Sequence, residues 1–209
     1  MSFPFPAYLY RLQHIRRWSL MRSTAPENVA QHSFHVALLA HLLCTIANVQ
    51  FGRSLNADRA AALALFHDAT EVFTGDIATP VKHGNARLLS SFREMEAAAA
   101  ERLVSMIPEP MRDEYAPLLA PDAAGLNEEE AELHVYVKAA DRLDAYLKCV
   151  MEVASGNREF AAAKTQTEAK LRESGLPAVA YFLEHMAPSF ALSLDELSGG
   201  PETGHEPNE

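Results

Sequence analysis

Apolar residues return every three to four positions along most of the chain, and no stretch alternates apolar with polar for long, so the pattern predicts an all-α protein. A first helix is expected from about Ala7 to Trp18, ahead of a polar loop ending at Asn28. Asn28 with Gln31 three positions on forms a capping-box pattern, in which each side chain satisfies a free N–H of the other, and it opens a second helix reaching about Asn48. A third helix is expected from Asn56 through His67 and Asp68, broken near Gly75 by the loop TGDIATP. An Ala-rich amphipathic helix covers Ala86–Ile107, and Pro108, Pro110, Pro117 and Pro121 then punctuate short helices and turns. Asn127, with Glu130 as its capping partner, opens a long helix that stops at Gly156, and two more helices follow. Residues 198–209 carry no apolar periodicity and read as a disordered tail, which leaves 1–197 as one helical domain.

Composition narrows the function classes. The 209 residues are 48% apolar and 22% charged, as in ordinary globular proteins, and the formal charge of -10 argues against a surface that grips a nucleic-acid polymer. A mononucleotide needs only a local basic spot. Two cysteines, Cys44 and Cys149, both lie inside apolar helical patterns, which favours a reducing compartment over a disulfide framework. The N-terminus lacks the order of charge and apolar run found in secretory signals, and no uninterrupted apolar run reaches the roughly 18 residues of a membrane span. The expectation is a cytoplasmic protein without membrane attachment.

The chemistry is concentrated in dispersed ligand-type side chains: His32 early in the second helix, His67 and Asp68 in the third, and Asp141 in the long one. Two imidazoles and two carboxylates suit one divalent ion such as Mn²⁺, Co²⁺, Fe²⁺, Ni²⁺ or Zn²⁺, and the lack of Cys ligands argues against a closed structural zinc site. Each residue alone has an ordinary reading as well. A histidine near a helix start is commonly a core or surface residue, an HD dipeptide occurs by chance, and Asp141 could pair with Lys138 or Arg142. Its setting separates it, because it follows two alanines on a helix with an apolar stripe of Val137, Leu143 and Leu147, where a half-buried carboxylate must be paired or bind metal.

The segments NVAQHSFHVA, ALFHDATEVFTGDIATPVK and VKAADRLDAYLKC, in that order, resemble the HD-domain 5'-deoxynucleotidases of the YfbR-like kind, within the HD superfamily of metal-dependent phosphohydrolases. The likeness runs from RRWSLMR to PSFALSLDEL. It implies that His32, His67, Asp68 and Asp141 hold the ion, with His32, Asp68 and Asp141 also bordering substrate. It further implies that Glu71 handles a proton, Arg17 orients the phosphate and Trp18 walls off a ribose 2'-hydroxyl. Asp76, Ile77, Ala78 and Thr79 would meet the nucleoside, and the family is typically dimeric. His35 and Asp144, one turn beyond His32 and Asp141, have no role in this pattern, and a solvent-facing His35 is expected.

The resemblance thus implies hydrolysis of deoxynucleoside 5'-monophosphates. Two other functions are open on the residues: an HD phosphohydrolase for a cyclic or pyrophosphorylated nucleotide, and a metal- or nucleotide-binding regulatory module without turnover. Glu71 and Arg17 standing alongside all four ligands count against the last.

Overall fold

The computed structural model describes residues 2–78, 85–120 and 125–199. The chain runs α1 (Phe5–Tyr10), α2 (Val29–Phe51), α3 (Ala57–Phe66), α4 (Glu71–Thr74), α5 (Ala86–Ser105), α6 (Arg112–Leu119), α7 (Glu128–Ala154), α8 (Ala161–Glu173), α9 (Pro177–His185) and α10 (Leu194–Ser198). Short 3₁₀ turns join several of them, and among the described residues the one extended pairing is an isolated bridge between Arg16 and Asn28.

The helix starts lie where short polar side chains can accept the first free N–H groups. Asn28, Asn56, Asn85 and Asn127 each accept from the backbone N–H three residues on, and at Asn28 the reciprocal bond from Gln31 completes the capping box. Helix α2 extends to Phe51, three residues beyond the expected end, and stops at Gly52, whose φ of 66° suits a residue without Cβ.

Helices α2, α3, α7 and α9 enclose the main core, built on residues such as Leu39, Leu43, Leu63, Leu143, Leu147 and Phe182. On length and composition α2 could span a bilayer, although polar residues interrupt its apolar runs. In the fold its Val29, Val36, Leu39 and Leu43 face protein, with His32 on the same buried stripe. A smaller cluster of Phe5, Ala69, Leu103, Ile107 and Leu119 ties α1, α5 and α6 to the turn after α3.

Two expected helices end early. The first gives way at Tyr10 to a 3₁₀ turn, Arg11–His14, and the chain then extends at Ile15, because Val29 N–H donates to the Ile15 carbonyl and Arg17 N–H to the Glu27 carbonyl. This pairing, centred on residues twelve positions apart, is non-local, so periodicity carries no trace of it. Helix α3 stops at Phe66, and His67–Thr70 form tight turns with bonds back three residues, so the HD pair lies in a turn and not inside the helix. Ser198 closes α10, and of the expected tail, residues 200–209 lie outside the described residues, as does Thr79.

Candidate metal centre and active site

Two helices and one turn bring the dispersed ligand-type side chains together. His32 enters from the first turns of α2, His67 and Asp68 from the turn after α3, and Asp141 from the middle of α7. His32 Nε2 stands 3.2 Å from Asp141 Oδ1 and 3.4 Å from Asp68 Oδ2, and His67 Nε2 stands 3.2 Å from the same Asp68 oxygen. One ligand atom from each of His32, His67 and Asp141 falls within 4.8 Å of the others.

The imidazoles are held in one orientation. His67 Nδ1 lies 2.6 Å from the Ala64 carbonyl, which can only accept, so Nδ1 carries the hydrogen and the neutral ring points a lone pair from Nε2 into the cluster. His32 Nδ1 lies 2.7 Å from Asp144 Oδ2, with the same consequence. Both Nε2 atoms are buried without a hydrogen-bond partner, the nearby carboxylate oxygens lying off the bonding direction. Two orphaned imidazole nitrogens among carboxylates are a poor arrangement for a bare interior and a good one for a cation. The residues therefore fit a divalent metal ion. Asp141 turns its 43% exposed side chain to the open side of the cluster, which leaves room for water and substrate.

Asp144, left without a role by sequence reasoning, orients His32, as second-sphere carboxylates commonly do for metal-bound histidines. Its position three residues after Asp141 on one face of α7 was the available signal. His35 is half exposed, but its Nδ1 lies 3.4 Å from Asp144 Oδ1, so it is not simply solvent-facing. Glu27, likewise unremarked, accepts from Arg17 Nε at 2.8 Å and aims the rest of the guanidinium toward the cluster, with Nη1 3.6 Å from Asp68 Oδ2.

Charge around the site is strongly negative. Burial lowers the pKa of His32, but its contacts with Asp141, Asp144 and Asp68 outweigh that and raise it well above the usual imidazole value. Burial pushes Glu71 up to about 9, with Asp68 and Asp76 adding to the rise and Arg17 opposing it, and its Oε2 is buried without a partner. A cation beside these groups would draw the values down. Asp76 follows Gly75, whose φ of 71° turns the chain out of α4, and its charge acts on both Arg17 and Glu71. Ile77 and Ala78 continue from it, half-buried.

Trp18 sits beside Arg17 with φ 56°, the one non-glycine residue with positive φ among those described. For a bulky side chain this is a true outlier, and such strain persists only where the surroundings enforce it. Its ring packs 5.4 Å from that of Phe160, and its Nε1 is buried without a partner.

The family model for YfbR-like 5'-deoxynucleotidases matches residues 4–190. The chain belongs to this family. Among YfbR-like relatives it is 48% identical to the 5'-deoxynucleotidase YfbR of Escherichia coli over 93% of this chain and 95% of that one. It is 47% identical to the 5'-deoxynucleotidase VP0926 of Vibrio parahaemolyticus, over 93% and 97%. The fold resembles an HD-domain phosphohydrolase of Listeria innocua, with a TM-score of 0.74, 24% identity and coverage of 93% and 91%. It also resembles the cyanophage S-2L HD phosphohydrolase solved with dA and one catalytic Zn²⁺, with a TM-score of 0.63, 19% identity and coverage of 90% and 99%.

Proposed function

We propose that this YfbR-like protein hydrolyses deoxynucleoside 5'-monophosphates to a deoxynucleoside and phosphate, with one divalent ion held by His32, His67, Asp68 and Asp141. The observation that carries the reading is the convergence of two orphaned imidazole nitrogens and two carboxylates beside Arg17 and Glu71. When bound, the ion supplies a Lewis acid for the phosphoryl group and lowers the pKa of water. Arg17, its Nε fixed by Glu27, offers its terminal nitrogens to the phosphate oxygens in a planar fork. Glu71 handles the proton at the unpartnered Oε2, and charge placement of this kind is the main tool of phosphoryl transfer, so no covalent nucleophile is required. Asp76, Ile77, Ala78 and Thr79 line the nucleoside side, with Asp76 an acceptor for the 3'-hydroxyl. Trp18 offers a 2'-hydroxyl no acceptor, which disfavours ribonucleotides.

The domain is taken as 1–197, the compartment as cytoplasmic, and the assembly as a homodimer. Phe34 and Leu38 on α2 and Leu65 on α3, about half exposed, support an apolar contact between copies. The ion is Co²⁺, Mn²⁺, Fe²⁺, Ni²⁺ or Zn²⁺, the set that mixed imidazole and carboxylate ligands accept.

Phosphate release from a panel of deoxy- and ribonucleoside monophosphates, with EDTA and add-back of each divalent ion, tests the reading. Hydrolysis of dAMP abolished by EDTA and restored by a divalent ion is the expected result. Turnover of cyclic or pyrophosphorylated nucleotides with dAMP untouched would replace it, and no turnover with any metal would favour a regulatory module.

A further inference from the structure

Helix α7 does more than supply Asp141. Asp141, Asp144, Lys148 and Glu152 follow one another at spacings of three, four and four, which places them along one face of the helix. The first two belong to the metal cluster. The last two are buried, Lys148 to 4% and Glu152 to 1% exposed, and lie about one and two turns beyond Asp144 along the helix. Long charged side chains are almost never so deeply buried without a reason.

Their partners lie in the loop between Arg17 and Asn28. Glu152 accepts from the backbone N–H of Thr24 at 2.9 Å and of Ala25 at 3.2 Å, from the Thr24 hydroxyl at 2.7 Å, and from Asn157 at 2.8 Å. Lys148 Nζ donates to Glu152 at 2.5 Å and to the Ala25 carbonyl at 2.5 Å. Lys148 also sits 5.7 Å over the Phe160 ring against which Trp18 packs. At the loop's other end, Arg17 and Glu27 close it by backbone and side-chain bonds. The segment that presents Trp18 in a left-handed conformation is thus gripped at its tip by the helix that carries a metal-site residue at its middle.

We propose that the buried Lys148–Glu152 pair is a positioning device that holds residues 17–25 so that Trp18 and Arg17 face the metal cluster. It rests on the reading of Arg17 and Trp18 as phosphate and sugar contacts. Both oxygens of Glu152 accept, so an amide, which has one acceptor oxygen, cannot replace it, and its NH₂ would face donors. The pair makes the strained φ of Trp18 the favoured state of the loop, and without it the residue relaxes.

Trp18 is the sole tryptophan of the chain, so its fluorescence reports this segment without any need for turnover. Glu152→Gln is compared with Lys148→Met/Glu152→Gln, in which no buried cation is stranded should the single variant fold poorly. In both, helical circular dichroism and Mn²⁺ binding are expected to match the parent. Emission from Trp18 shifts to the red and acrylamide quenching at least doubles. KM for dAMP rises about tenfold with a smaller change in kcat, and the dAMP-to-AMP preference falls, since misplacement of about an ångström has effects of this size or larger. A folded variant with lowered melting temperature but unchanged Trp18 emission, quenching and KM would overturn the proposal and leave the pair a purely structural one. Trp18→Ala is measured in parallel. Should it leave the sugar preference unaltered, the assignment of Trp18 to the sugar fails, and the positioning role still stands or falls on the quenching data.

Discussion

Glu71 is separated from the proposed metal ligands by what surrounds it. No imidazole is bonded to its Oε2, and burial raises its pKa to about 9, whereas the carboxylates of Asp68 and Asp141 are held below their ordinary range by His67 and His32 against the effect of burial. Glu71→Ala is therefore expected to keep the metal and lose about a hundredfold in kcat, the usual scale for a lost proton-transfer group. Metal analysis of the purified variant beside dAMP turnover checks both halves. Asp144→Asn makes the opposite split, because the buried amide orients His32 less firmly. Metal affinity should fall about 10- to 100-fold, as for other second-sphere changes, read by competition with a coloured chelator. An affinity equal to the parent's would remove Asp144 from the support of His32.

Among the helices, α2 and α7 carry the site because each has a polar residue set into an otherwise apolar face. His32 continues the buried spacing of Val29, Val36, Leu39 and Leu43. Its depth depends on where α2 begins, and Asn28 sets that start through its bonds with Gln31. Asn28→Ala should cost about 1 kcal/mol of stability, the typical worth of such a cap, seen as a lower urea midpoint with unchanged slope. Metal content should stay near that of the parent, since the Asp144 bond to His32 is independent of the cap. The HD turn shows the opposite logic. Helical spacing would aim His67 and Asp68 about 100° apart, but the end of α3 at Phe66 and the bond of His67 to the Ala64 carbonyl bring His67 Nε2 and Asp68 Oδ2 to 3.2 Å.

Across the protein, the Lys148–Glu152 pair ties the loop after α1 to the C-terminal end of α7 and makes stability depend on pH. Burial opposes the charge on Glu152, but Lys148, the backbone and hydroxyl of Thr24 and Asn157 outweigh it and hold its pKa well below the ordinary glutamate value. A lowered folded-state pKa means that the unfolded chain binds the proton more readily. The contribution is then full above about pH 4.3 and is lost as pH falls toward the lower folded value. The stability gap between the metal-free parent and Glu152→Gln should stay level from about pH 8 to 5 and narrow below about pH 4. Urea unfolding at a series of pH values measures it, and a gap constant through the acid range would show that the charge of Glu152 is not its source.

Short-range physics was legible along the chain. The all-α class, the asparagine caps at 28, 56 and 127, the stop near Gly156 and the ligand types at His32, His67, Asp68 and Asp141 follow from periodicity and from side chains that satisfy nearby backbone groups. Family resemblance added the substrate reading to a metal reading that the residue types had already opened, and the orphaned Nε2 atoms of His32 and His67 support the metal part independently. Contacts between distant residues decided the rest. The first helix ended early because residues 15 and 17 pair with 29 and 27, the HD pair fell in a turn, and Asp144, Glu27, Lys148 and Glu152 found their partners across as many as 128 positions of sequence. A pattern of spacing records which face of a helix is apolar. It does not record what a buried charge on that face will meet, because that partner is supplied by another part of the chain only when the core closes.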